Sequence, residues 1–210
     1  MEFAGGGDLA GYLKKHKALK ESLASVWFKQ TSEAVHYLHT VPRMAHRDIK
    51  LDNILLDDTN HTKLTDFGFA NLITDESMDV YAAVSDTFCG TAPYYSPQLV
   101  AKKPYNPFKA DCWAMGVVVY AMLCNRYLFH FKDAKIMYRE QTNYPEYIRG
   151  RFNEPISELA RDLIEFIVQP DEKQRPTMAD ILAHEWLGGT MTTKTNSTTS
   201  VASNSSNADD

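Results

Sequence analysis

AHRDIKLDNILL, Ala45–Leu56, packs His46, Arg47, Asp48, Lys50, Asp52 and Asn53 together and then runs directly into Ile54, Leu55 and Leu56. Charged side chains are solvated by default, and consecutive aliphatics belong to a core. Both demands are met when a loop of positioned polar groups is carried by a buried strand, the usual construction of a chemical site. Eighteen residues after Asp48 comes a second polar group, Asp66-Phe67-Gly68. The segments NILLDD and HTKLTDF between them read as two short strands around the polar turn Asp57-Asp58-Thr59-Asn60.

Working outward, Leu23, Val26, Trp27, Ala34, Val35 and Leu38 recur at helical spacing between Glu21 and His39, and Pro42 follows as a stop. Residues 71–109 show no sustained period and contain Gly90, Pro93, Pro97, Pro104 and Pro107. A connection that long within a compact domain is functional or contains unrecognised elements. CWAMGVVVYAMLC, Cys112 to Cys124, falls short of the roughly 20 apolar residues of a bilayer span and is expected to be a buried helix. An amphipathic helix is expected around 156–168, and another around 177–187 with Thr177 as its cap. From Thr190 onward the chain is almost entirely Ser, Thr and Asn, too polar to bury apolar area. The expected organisation is therefore one mostly α domain over residues 1–189 and a disordered tail over 190–210.

With 44% hydrophobic residues in 210, the chain has enough apolar material for one packed domain. A net charge of −5 argues against general binding to nucleic acid or anionic membranes. Cys89, Cys112 and Cys124 lack paired spacing, which fits a reduced cytoplasmic protein better than a disulfide framework or zinc site. Cys112 and Cys124 are expected in the core, and Cys89 in a loop. MEFAGGGDLAGYLKK lacks the basic start and apolar run of a signal peptide. The Asn-X-Ser/Thr matches at Asn60, Asn196 and Asn204 therefore read as chance.

His46-Arg47-Asp48, Lys50, Asn53 and Asp66-Phe67-Gly68 together resemble the catalytic and metal-binding loops of the protein kinases. The resemblance implies ATP and Mg²⁺ as cofactors. It gives Asp48 the substrate hydroxyl, Lys50 the transferred phosphoryl group, and Asn53 and Asp66 the Mg²⁺. Leu55 would lie beneath the adenine. MEFAGGGDL resembles the kinase hinge, with Glu2 and Ala4 at the backbone positions that bind adenine and Asp8 at the acidic position near the ribose. DTFCGTAPYYSPQLV resembles the end of an activation segment, with Thr91 contacting Asp48 and Lys50 and with Thr87 at the phosphosite. Phospho-Thr87 is expected to pair with Arg47. Asp111, with Trp113 and Gly116, looks like the helix that anchors the catalytic loop. QRPT, with Arg175, and HEWL look like the closing helices. FANLI and TFCGT are most similar to the testis-specific serine kinases and their calmodulin-dependent-kinase-like relatives.

The resemblance begins at the hinge. The family's Gly-rich loop, strand lysine and helix glutamate are not among these residues. The implied fold is a kinase-like C-terminal lobe, mostly α, with short β-hairpins at the catalytic cleft and the N-terminal lobe absent. Gln98 stands where the family has a glutamate that pairs with a buried arginine, here Arg175. Glutamine cannot neutralise that charge, so a less firmly fixed activation segment is expected. The segment from Asp66 to Gln98 is also longer than the family's usual length. Three functions stay open: a serine/threonine kinase, a non-catalytic pseudokinase-like binding module, and a structural domain with vestigial motifs. Intact Asp48, Lys50, Asn53 and Asp66 favour the first; Gln98 and the missing upstream segments favour the second. Expected partners are protein substrates with Ser or Thr acceptors and an activating kinase. Asp8 and Asp52 imply basic residues N-terminal to the acceptor. Nucleic acid and membrane are not expected partners.

Overall fold

The computed structural model describes residues 4–152 and 156–191. In chain order these form α1 (Leu9–His16), α2 (Glu21–Thr40), β1 (Met44–Ala45), β2 (Ile54–Leu56), β3 (Thr62–Leu64), β4 (Asn71–Leu72), α3 (Pro97–Val100), α4 (Pro107–Cys124), α5 (Ala134–Thr142), α6 (Glu146–Arg149), α7 (Glu158–Ile167) and α8 (Met178–Leu182). The fold is mostly helical, with two small antiparallel sheets, β1–β4 and β2–β3. Glu2 and the tail beyond Met191 lie outside the described residues.

α4 organises the rest. Every residue in it except Lys109 is buried, so it is apolar all round, as a central helix must be. Asn106 caps it by accepting from the Lys109 N–H, Pro107 occupies its first turn, and left-handed Asn125 (φ 49°) ends it. α4 is the helix among the described residues long and apolar enough to cross a membrane, and it is buried within the fold. Cys112 and Cys124 are buried in it, and burial pushes the Cys112 thiol up to about 12. α7 packs closely against Gly116, where an added Cβ would stand 2.6 Å from Val168 Cγ1. α2 packs on another side through Ala24, Trp27, Phe28, Thr31 and Val35. The helix is as expected, but its buried stripe is rotated: Val26 is exposed, because Ala24 and Phe28 take the inward positions.

The two strands of the expected hairpin pair Ile54 with Leu64 and Leu56 with Thr62. Ile54 and Leu56 are buried on one face, and Leu55 is half-buried on the other. The turn is closed by the Asp57 carboxylate, which accepts from the Thr59 and His61 N–H groups.

Two stretches differ from expectation. Residues 71–109 are ordered without a period, through side-chain bonds to the backbone. Asn106 Nδ2 donates to the Val80 and Ala83 carbonyls, and Arg43 bonds the carbonyls of Asp75 and Met78. Val80 and Ala83 thereby join Ala45 and Phe108 in a second small core. The helix expected over 177–187 is broken. Thr177 and Asp180 form a capping box, α8 ends at Leu182, and a 3-10 turn covers Glu185–Leu187. His184 caps that turn by accepting from the Trp186 N–H, which diverts the chain.

Candidate active site

The loop before β2 is held from beneath by α4. Asp111, buried near the start of that helix, accepts from the backbone N–H groups of His46 (2.7 Å) and Arg47 (2.8 Å) and from His39 Nε2 (3.0 Å). This grip fixes Arg47 at φ 65°, a left-handed backbone that a long side chain rarely adopts unaided. His46 is fully buried, and its Nε2 meets the Thr65 carbonyl at 2.9 Å. One loop is thereby tied to the residue before Asp66.

Above this floor, the expected polar residues converge. Lys50 Nζ donates to Asp48 Oδ2 (2.7 Å), and Thr91 Oγ1 donates to Asp48 Oδ1 (2.6 Å). Lys50 Nζ also reaches Thr91 Oγ1 (3.1 Å). Asn53 Nδ2 donates to the Asp48 carbonyl (2.9 Å) and to its Oδ2 (3.2 Å). The buried Asp48 carboxylate is thus oriented by three side chains from two chain segments.

Gly90 permits that meeting. It has φ 103°, and a Cβ there would stand 2.6 Å from the Arg47 carbonyl oxygen. Gly90→Ala should therefore cost about 2–3 kcal/mol in backbone strain and contact. It should also push Thr91 away from Asp48. Urea denaturation of the variant checks the first effect. A drop in the urea midpoint no larger than that of an exposed Gly→Ala change would contradict it.

Asp66, at φ 64°, is exposed, and its Oδ1 accepts from the Gly68 N–H at 3.2 Å. The Thr65 N–H bonds the Asn53 carbonyl (3.0 Å), so the two expected metal ligands lie on hydrogen-bonded segments. Asn53 commits its amide nitrogen to Asp48, leaving its oxygen as the donor for a cation. An amide oxygen and a carboxylate form a hard-oxygen set that fits Mg²⁺.

The segment before α1 lies along β2. Gly6 N–H bonds the Leu56 carbonyl (2.9 Å), and Leu56 N–H bonds the Gly7 carbonyl (2.8 Å). Gly6 has no room for a side chain, since a Cβ would meet Leu56 Cβ at 2.8 Å. Half-buried Ala4 leads this segment. Asp8 has a structural duty: its Oδ1 accepts from Gly11 N–H at 2.7 Å and caps α1.

Arg47 Nε donates to the Phe69 carbonyl (2.6 Å), and its guanidinium also lies against the Tyr105 hydroxyl. That hydroxyl donates to the Thr87 carbonyl (2.9 Å), and Thr87 is exposed. Thr87 and Arg47 are therefore one residue, Tyr105, apart. Gln98 is more firmly tied than expected. Its Oε1 accepts from Arg175 Nη2 (3.0 Å), and its Nε2 donates to the Pro170 carbonyl (2.8 Å). The guanidinium is otherwise met by the Gln169 and Lys109 carbonyls and lies over the Trp113 ring. Burial lowers the Arg175 pKa to about 10 against the pull of Glu172. Neutral acceptors, rather than a carboxylate on the activation segment, hold this charge. Gln98→Ala removes two of these bonds and should cost about 2 kcal/mol, read as a lower urea midpoint.

Sequence reasoning missed His39, whose ring completes the Asp111 cluster, and Tyr94, whose hydroxyl accepts from Leu51 N–H (3.3 Å). His39 stands outside the quoted motifs, and Tyr94 lies within the activation-segment-like stretch without marking itself there as a partner of Leu51.

The protein kinase domain model matches residues 1–187. The chain is 37% identical over 189 residues to testis-specific serine/threonine-protein kinase 2 of Mus musculus, covering 89% of this chain and 51% of that protein. It is 32% identical over 200 residues to testis-specific serine/threonine-protein kinase 4 of Homo sapiens, covering 89% of this chain and 58% of the relative. It is 35% identical over 188 residues to NUAK family SNF1-like kinase 2 of Homo sapiens, with 89% of this chain covered and 28% of the relative. The chain thus spans about half, or less, of these relatives' lengths. A match across nearly all of the folded region, on a chain that draws Asp48, Lys50, Asn53 and Thr91 together, places it in the protein kinase family.

Proposed function

We propose that this chain is the hinge and helical C-terminal lobe of a serine/threonine protein kinase that transfers the γ-phosphate of ATP to protein substrates. The observation that carries the reading is the Asp48 carboxylate held between Lys50 and Thr91 on a loop whose backbone is bonded to Asp111. Phosphoryl transfer needs positioning and charge neutralisation more than covalent chemistry, and these residues provide both. Asp48 orients the acceptor hydroxyl and takes its proton. Lys50 stands against the charge that develops on the transferred group. Asn53 and Asp66 hold Mg²⁺, which when bound neutralises the nucleotide phosphates. Leu55, on the outer face of β2, and Ala4 in the adjoining segment receive the adenine, with Glu2 assigned to the same task by the family resemblance alone. The cytoplasmic setting read from the cysteines belongs to this proposal. So does a preference for basic substrate residues, which rests on exposed Asp52 more than on Asp8, because Asp8 caps a helix.

The test is Mg²⁺-dependent transfer from labelled ATP to a degenerate Ser/Thr peptide library by the full-length protein that carries this segment. Incorporation on Ser or Thr supports the proposal. Peptide binding without any incorporation would instead support the non-catalytic module.

Regulation follows from the Arg47–Tyr105–Thr87 arrangement. A phosphate on Thr87 would sit within the Arg47 neighbourhood and draw the guanidinium from the Phe69 carbonyl. Thr87→Ala should lower the activity of the full-length, phosphorylated kinase about ten-fold or more and leave the phosphatase-treated enzyme unchanged. Equal rates for the two phosphorylated preparations would rule this role out.

A further inference from the structure

Next to the Asp48 site, α1 and the end of α4 enclose a cleft of about 340 Å³. Leu13, Leu51 and Ala121 supply apolar lining, Lys14, Lys17 and Arg126 supply positive charge, and no carboxylate lines it. The basic character is local. Lys14, Lys15, Lys17 and Lys20 fall within seven residues of a chain whose net charge is −5. The carboxylates flanking them in sequence are engaged elsewhere: Asp8 caps α1, and Glu21 accepts from Ser157 and from Trp186 Nε1. Arg126 is held in place by bonds to the Tyr120 hydroxyl (2.8 Å) and the Arg151 carbonyl (2.7 Å).

Lys17 carries a second sign. It ends α1 at φ 69°, ψ −153°, a backbone region that essentially only glycine occupies without strain. Lysines in the last turn of a helix also complement its dipole, which accounts for Lys14, Lys15 and His16 but not for a strained lysine beyond the helix end.

The cleft adjoins the reacting groups. Leu51 follows Lys50 directly, and Tyr127, another lining residue, packs edge-on against Tyr94 (6.0 Å), which bonds Leu51. Leu51 is three residues from Asp48, so their backbones are at most about 11 Å apart. An extended peptide covers that distance in about three to four residues.

We propose that this cleft receives an anionic side chain of the protein substrate, a phosphoserine or a carboxylate, a few residues from the acceptor hydroxyl. The proposal rests on the kinase reading and names its substrate class. Asp52 is outside the cleft lining, so its pull on basic residues acts at a different substrate position.

The test measures binding without nucleotide, by fluorescence anisotropy, between the 210-residue chain and a set of ten-residue peptides. Each has one acceptor serine, and phosphoserine, glutamate, serine or arginine is placed in turn three to five residues to either side. At low salt, phosphoserine on one side should bind about ten-fold more tightly than serine, and high salt should shrink the gap. Lys14→Glu with Lys17→Glu should abolish the discrimination while the circular dichroism spectrum is retained. Lys17→Gly should weaken phosphopeptide binding several-fold while raising the melting temperature, because it removes both the charge and the strain. Equal affinities across the set would overturn the proposal. So would binding to phosphatidylserine vesicles, lost in the same variants, without any peptide discrimination. Discrimination by a full-length protein that transfers no phosphate would refute the kinase reading and leave the anion cleft standing. Transfer without discrimination would do the reverse.

Discussion

Asp111→Ala should unfold or nearly unfold the domain. The carboxylate is buried and accepts three hydrogen bonds, two of them from backbone N–H groups that have no water to turn to. Bonds to a charged acceptor contribute about 1.5–3 kcal/mol each, and a buried donor left unpaired costs about 1–3 kcal/mol. The loss should therefore be roughly 4 kcal/mol or more, against a typical total of about 5–15 kcal/mol. Asp111→Asn keeps one acceptor oxygen and should lose about half as much, because its amide group then faces an N–H donor. Urea titration of both variants measures this. A drop under about 1 kcal/mol for the alanine variant would show that the loop is held by something other than Asp111.

Asp48→Asn should weaken the fold only partly and stop the reaction. Asparagine retains an oxygen for the Thr91 hydroxyl at the position of Oδ1, but its amide group then faces the Lys50 and Asn53 donors that Oδ2 accepts from. Stability should fall by about 1–3 kcal/mol, less than for Asp111→Ala. An amide cannot take the proton of the acceptor hydroxyl, so transfer by the full-length protein should fall by about 10³-fold. ATP affinity should remain, because the proposed role of Asp48 concerns the acceptor hydroxyl and not the nucleotide. A variant that kept a tenth of the wild-type rate would remove Asp48 from the role of base.

The meeting of Asp48, Lys50 and Asn53 was legible because polar types crowded against a run of aliphatics call for a positioned loop on a buried strand. The hairpin was legible for a related reason, since Ile54 and Leu56 need a core and Asp57–Asn60 needs a turn. Residues 71–109 were opaque because their order comes from single long-range bonds. The Asn106 amide that joins Val80 and Ala83 leaves no periodic mark. The phase of α2 failed at Val26: it stands about 200° around the helix from Ala24, so the stripe that buries Ala24 and Phe28 leaves it outside. Asp8 showed how one residue type serves two demands. Its place in the hinge-like stretch pointed to a ribose, and its local geometry makes it a helix cap. Gln98 looked like a defect because charge was considered without the Pro170 carbonyl that its amide reaches.

The bond between α4 and the catalytic loop also sets a clock. The amide protons of His46 and Arg47 sit on a loop, where exchange with solvent is ordinarily fast. They point instead at a carboxylate belonging to the most deeply buried helix. Their exchange with deuterium must therefore wait for the opening of α4 itself, on the slow timescale of global unfolding. Amides at the rim of the small Val80 core should exchange long before them. The loop that carries Asp48 should thus be among the last parts of the fold to exchange.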